Sequence, residues 1–178
     1  MKKCLMITLI LLMGCAPWMK VGGVYKNSND KYSVDLPQGW MKINTDKYLF
    51  VTRDGALLQN ITIERVDLEE PLKNTKKKLN KNMLPSEASE VIIDNISSDK
   101  GVLNLVILEN IPVTIDVNPG FKILFTYKNK DGLTFKSLYC GFLLENCLYS
   151  IRYTAAERYY FPKDVGVFEE LLNSFKMS

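Results

Sequence analysis

A chain of 178 residues with 47% hydrophobic and 24% charged side chains has the composition of one ordinary globular domain. It contains no histidine, which excludes Ser-His-Asp and Cys-His nucleophilic arrangements and removes the commonest general base and the commonest nitrogen ligand for zinc, so neither a metal centre nor a cofactor is expected. Of its 23 basic side chains two, Lys2 and Lys3, sit at the extreme amino terminus, and the remaining 21 against 20 acidic ones give no electrostatic case for nucleic acid.

The first segment has the layout of an export signal: the Lys2-Lys3 start, an apolar run from Cys4 to Met13 broken only by Thr8, then Gly14 before Cys15. Ten apolar residues in a helix cover ~15 Å, half of a ~30 Å hydrocarbon core, so the run is too short for a comfortable permanent span. Leu12-Met13-Gly14-Cys15 resembles the lipobox of bacterial lipoproteins. That resemblance implies cleavage before Cys15, a diacylglyceryl thioether on its sulfur and a membrane lipid as the first partner; the alternative is a plain export signal with a chance cysteine. Residues 1–14 are then signal peptide and 164 residues remain. Ala16 stands where an aspartate would resemble an inner-membrane retention signal, so the expected location is the cell envelope, in the outer membrane facing the periplasm if the source has one. Residues 15–31, with Pro17, Gly22, Gly23 and an Asn-Ser-Asn-Asp run, read as the lipidated cysteine and a flexible tether. Trp18 and Met19 suit either the head-group layer or a plain tether.

The domain proper is expected over 32–178. Tyr32 to Leu36 alternates like a half-buried strand, Pro37-Gln-Gly39 turns the chain and Trp40 follows. Tyr48 to Arg53 and Leu57 to Val66 read as a hairpin around Asp54-Gly55. From Pro71 to Met83 the spacing of Leu72, Leu79 and Met83 predicts a helix, and Pro85 with Glu87 and Glu90 starts a second one closed by Gly101. Strands are expected over Val102–Ile111, Phe121–Tyr127, Leu133–Leu144 and Cys147–Thr154, and short links between the last three force antiparallel pairing. A turn at Glu145-Asn146 sets Leu144 opposite Cys147 and Cys140 opposite Ile151. The two thiols then lie ~13 Å apart along one face, too far for a disulfide in this register, and read as free and buried, with a disulfide in another register or a metal or redox role as the alternatives. Phe168, Leu171, Leu172 and Phe175 make one apolar stripe on a final helix beginning near Pro162. The fold class is α+β, a curved antiparallel β-sheet flanked by helices.

The element order, the Leu36-Pro37-Gln-Gly39-Trp40 turn, the strand ending Tyr153-Thr-Ala-Ala156, and Tyr160-Phe161 before a helix ending Asn173-Ser-Phe175 resemble the PsbP-like group. That group includes PsbP, the Mog proteins and lipoproteins similar to DcrB. The resemblance spans roughly residues 32–176 and implies an α/β/α sandwich acting through protein contacts. Its motifs mark core and turn positions, not chemistry.

Two surface features suit a partner. Lys73, Lys77 and Lys81 fall at i, i+4 and i+8 of the first predicted helix, as a patch on anionic head groups or as a solvated face. Arg158 and Tyr159, where a strand passes into the last helix, are of the types enriched at protein contacts, although ordinary packing accounts for the same run. The expected function is a non-enzymatic, membrane-anchored envelope lipoprotein that binds or stabilises an envelope protein. The alternatives are a carrier or sensor of a small apolar ligand in a pocket between sheet and helices, and a histidine-independent hydrolase.

Overall fold

The computed structural model describes residues 18–27, 29, 31–43 and 48–178. The export signal, Cys4 and Cys15 lie outside the described residues. The described elements are β1 (Trp18–Lys20), β2 (Gly23–Asn27), β3 (Tyr32–Leu36), β4 (Met41–Ile43), β5 (Leu49–Thr52), β6 (Gln59–Asp67), α1 (Pro85–Ser97), β7 (Leu103–Ile115), β8 (Asn118–Lys128), β9 (Thr134–Leu144), β10 (Cys147–Ala156), α2 (Tyr160–Ser174) and β11 (Lys176–Met177). They build an antiparallel eight-stranded sheet in the order β1-β4-β5-β6-β10-β9-β8-β7 and a three-stranded sheet β11-β3-β2.

Strand alternation divides the core in two. On the inner face Ile61, Ile63, Cys140, Phe142, Ile151 and Tyr153 pack beneath Phe168, Leu171 and Phe175 of the α2 stripe and beneath Tyr32 and Val34 of the small sheet. On the outer face Phe121, Ile123, Phe125, Tyr139 and Leu148 pack beneath Ala88 and Ile92 of α1 and beneath Leu68, Leu72 and Leu79. Helices therefore flank the sheet on both sides, as expected. Pro85 opens α1, where the Leu84 N–H donates to Glu87 Oε2 at 2.8 Å.

The β9–β10 turn forms as read, with Leu144 opposite Cys147 and Cys140 opposite Ile151. Both cysteines are free and buried. Glu145 adopts φ 55°, the left-handed geometry that a two-residue hairpin turn demands.

Two expectations are corrected. Residues 71–83 are not a helix. Asn74, Thr75, Asn80 and Asn82 are poor helix formers, and Lys76 adopts φ 60°. The Lys76 N–H donates to Leu72 O at 2.9 Å and the Leu72 N–H to Lys77 O at 2.8 Å, closing a loop. Asn95 of α1 holds that loop by accepting the Asn74 N–H at Oδ1 (3.0 Å) and the Asn74 side-chain N–H at its carbonyl (2.8 Å). Leu72 and Leu79 are buried, but from a loop.

The second correction concerns the tether, because residues 18–20 and 23–27 are paired strands. Trp18–Lys20 pairs with β4 and Gly23–Asn27 with β3, so this short stretch belongs to both sheets. Gly23 at φ 79° makes the switch between them. The Val21 N–H donates to Trp40 O at 2.9 Å, and Tyr25 packs on the inner core with Lys42 Nζ 5.1 Å from its ring centre. A few well-placed apolar side chains outweigh a turn-rich composition.

Candidate functional site

Directly opposed residues in an antiparallel sheet project to the same side, so the register lays out what the outer face offers. One row runs from Phe50 through Thr62, Arg152 and Tyr139 to Ile123. α1 and the 68–83 loop roof the Ile123 and Tyr139 end and stop short of the rest. What remains is an open cleft of about 610 Å³ between that roof and the sheet, within the ~300–1,000 Å³ range of small-molecule sites.

The cleft is polar. Asn60, Glu64, Ser137, Ser150, Arg152 and Thr154 line its sheet side, and Asn74, Asn95, Asp99 and Lys73 line its roof side. Arg152 makes no ion pair among the described residues, although Glu64 and Asp99 share the cleft. Tyr139 hydrogen-bonds Ser150, and burial pushes its hydroxyl up to about 12. Burial likewise raises Tyr127. Neither phenol is poised as an acid or base near neutrality. No group of three or more His, Cys, Asp or Glu side chains that could hold a metal ion occurs among the described residues.

A buried polar cluster lies on the inner face. Asp164 of α2, 1% exposed, accepts a hydrogen bond from Arg53 Nη2 at 2.7 Å and another from Gln59 Nε2. Burial raises the Asp164 carboxyl by more than Arg53 and Lys163 pull it down. Asp54 is held below the usual carboxylate range by Lys163, whose Nζ lies 2.7 Å away. Tyr153 donates to Tyr160 O at 2.7 Å. These contacts fasten the start of α2 to the β5–β6 hairpin. None of these residues lines the cleft on the outer face, and the cluster acts as a structural clamp.

The outer edge of the large sheet is β7, thirteen residues long, with one side paired to β8 and Leu103, Val106, Leu108 and Ile111 exposed. It carries two register irregularities and Pro112, devices that blunt an edge against indiscriminate pairing.

The residues singled out from sequence are dispersed. Lys73 lines the cleft, Lys77 pairs with Asp94 at 2.7 Å, and Lys81 is exposed on the same loop, so the three share no helical face. Tyr159 is 63% exposed, its ring 5.1 Å from that of Tyr160, with Lys163 Nζ 5.4 Å from its centre. Arg158 beside it is exposed as well. The sequence offered a pocket between sheet and helices as an alternative but assigned it no lining residues, because the floor is assembled from alternate residues of four strands. Arg152 was visible as a lone charge amid apolar neighbours on β10, and that alternation is the signal available.

Neither a protein-family model nor a curated protein sequence matches the chain. Solved structures do. The solution structure of cyanobacterial PsbP (CyanoP) from Synechocystis sp. PCC 6803 aligns with a TM-score of 0.64 at 12% identity, covering 93% of this chain and 95% of that one. The Saccharomyces cerevisiae Ran-binding protein Mog1p aligns at 0.57 and 11% identity, over 89% and 96% of the two chains. A Pseudomonas aeruginosa protein described as a putative regulator, PA94, aligns at 0.55 and 9%, over 85% and 93%. At these identities the likeness establishes the fold and leaves function open: this chain carries the α+β architecture of PsbP and Mog1p over nearly its whole length.

Proposed function

We propose that the protein is a lipid-anchored envelope protein, held through Cys15, that acts without catalysis by binding a protein partner. The observation that supports the contact role is the β7 edge, with four exposed aliphatic side chains along a strand whose outer hydrogen-bonding side is unpaired among the described residues. Monomeric proteins seldom leave such a row uncovered, and strand edges receive extended segments of other chains through backbone hydrogen bonds. That Mog1p is described as Ran-binding is in keeping with a contact role for this architecture. Arg158 and Tyr159 remain a second candidate surface, and the outer membrane facing the periplasm remains the proposed location.

A carrier role is a second reading, favoured by the 610 Å³ cleft. Its lining joins Arg152, Glu64, Ser150 and Thr154 to apolar Leu72, Ile92, Phe125 and Leu148, which suits a ligand with both polar and apolar parts rather than the purely apolar one expected from sequence. Photocrosslinkers at Leu108, at Tyr159 and at Asn60 in the cleft, in cells expressing the full chain, discriminate the surfaces. We expect one discrete adduct from Leu108 that Val106→Lys removes. Adducts from Asn60 alone would move the proposal to the cleft, and adducts from none would end the partner-binding reading. Cys15→Ser, followed by membrane fractionation and intact mass, tests the anchor separately.

A further inference from the structure

We propose that the β1–β4–β5 end of the outer sheet face is a bilayer-docking surface, and that the protein lies against the membrane that anchors it. The inference deepens the proposed function and rests on the reading of Cys15 as lipidated. Trp18 is three residues beyond Cys15, a distance of at most ~10 Å even when fully extended. A flexible tether through residue 31 would have let the domain stand well off the bilayer. Because Trp18–Lys20 is instead a paired strand of the large sheet, two residues of sequence, Ala16 and Pro17, lie between Cys15 and the first described strand.

The side chains at that corner have interfacial chemistry. Trp18 pairs across from Ile43 and lies 6.3 Å, ring centre to ring centre, from Phe50, which lies 6.5 Å from Tyr48. Phe50 stands on the outer face through its pairing with Thr62, and Tyr48 shares its side by alternation. Trp18, Ile43 and Phe50 are only half-buried and Tyr48 is 37% exposed. Neither helix covers this end, since α1 packs over β7, β8 and β9 and α2 over the inner face. Indole and phenol side chains favour the head-group layer, where the ring is shielded and its N–H or O–H stays wet. A Trp-Tyr-Phe cluster that no described helix covers therefore begins at a residue no more than ~10 Å along the chain from the lipidated Cys15, and the occupant the geometry fits is that bilayer.

The chain carries its own reporter, because Trp40, its other tryptophan, is 1% exposed in the core and sealed from lipid. The test uses the full-length protein, processed in cells, purified in detergent and reconstituted into phosphatidylethanolamine–phosphatidylglycerol vesicles with or without brominated acyl chains. Intact mass establishes Cys15 modification, flotation establishes attachment, and bromine quenching reads indole depth. We expect a blue-shifted Trp18 emission that brominated lipid largely extinguishes, a loss absent from Trp18→Phe, which still floats. A lipidated, floating wild type whose emission bromine leaves unchanged would overturn docking while leaving the anchor standing, and would open this corner to a protein partner. An unmodified Cys15 overturns the anchor and the docking inference with it.

Discussion

Removal of the Asp164 carboxylate is the most informative perturbation of the fold, because its cost separates a clamp from an incidental contact. Asp164→Ala deletes the acceptor of two hydrogen bonds, one from the Arg53 guanidinium at 2.7 Å and one from the Gln59 amide. A charge-assisted bond is worth ~1.5–3 kcal/mol and an orphaned buried amide costs ~1–3 kcal/mol. Gln59 is fully buried, and its Oε1 already lacks a partner, so it bears its penalty in full. The Arg53 side chain is 31% exposed and retains Asp54 at 3.4 Å, so water and that neighbour recover part of its loss. The sum is a destabilisation of about 3 kcal/mol. Asp164→Asn keeps the shape and an acceptor and should cost ~1 kcal/mol or less, since burying the charge is itself unfavourable. The pH dependence has a defined sign. Burial raises the folded-state pKa of Asp164, so its contribution is complete below the ordinary carboxylate value and declines as pH rises through the raised one. Wild type should therefore lose stability relative to Asp164→Asn across that window. Urea unfolding of Asp164→Ala, Gln59→Leu and the double variant gives the coupling. A cost under ~1 kcal/mol for Asp164→Ala, together with additivity in the double variant, would refute the clamp.

Three further outcomes follow from local geometry. Burial pushes the Cys140 thiol up to about 12, so it should resist iodoacetamide in the native protein and react rapidly in urea, and fast native labelling would contradict its placement. A Cβ on Gly141 would stand 2.6 Å from the Phe121 ring; Gly141→Ala should cost ~1–3 kcal/mol in urea unfolding, and a neutral result would mean that the β8–β9 register is wrong. Asp116, at the β7–β8 turn, is held below the ordinary carboxylate value by Lys176 Nζ at 2.9 Å and the Met177 N–H. Its stabilisation is present above that value and lost as pH falls through the lowered one, so Asp116→Asn should flatten the acid limb of a melting-temperature profile.

Local rules were sufficient where one local cause decided the structure. The Glu145-Asn146 turn alone fixed the β9–β10 register and with it the separation of Cys140 from Cys147, and the i, i+3, i+4, i+7 stripe alone identified α2. They failed where two causes competed. Leu72, Leu79 and Met83 have helical spacing, but burial requires only that apolar side chains reach the core, and a loop pinned by Asn95 delivers Leu72 and Leu79 as well as a helix would. Pro112 and Pro119 interrupt the strand pattern, yet β7 and β8 run through them because the proline in β7 lies on the sheet edge and that in β8 beside the hairpin end. The lining of the cleft and the Asp164 clamp were invisible for a different reason: Arg53 and Asp164 are 111 residues apart, and Asn60, Ser137 and Arg152 meet only once β6, β9 and β10 are side by side.

The reversal at residues 18–27 changes the functional reading most. A lipoprotein with a long tether can search for partners at a distance, whereas one whose large sheet begins three residues after its anchor presents fixed surfaces at fixed heights. In the proposed docked arrangement the Trp18, Tyr48 and Phe50 corner would face lipid, and β7, at the opposite edge of the eight-stranded sheet, is the surface farthest from β1. Seven inter-strand spacings of ~4.8 Å separate β1 from β7, ~34 Å along the sheet. The sheet would then act as a spacer, with membrane contact at one edge and partner contact at the other. Shortening or lengthening the link between Cys15 and Trp18 should alter docking at the first edge and leave adduct formation from Leu108 at the second intact if the partner is soluble, but abolish it if the partner is itself embedded at a fixed depth.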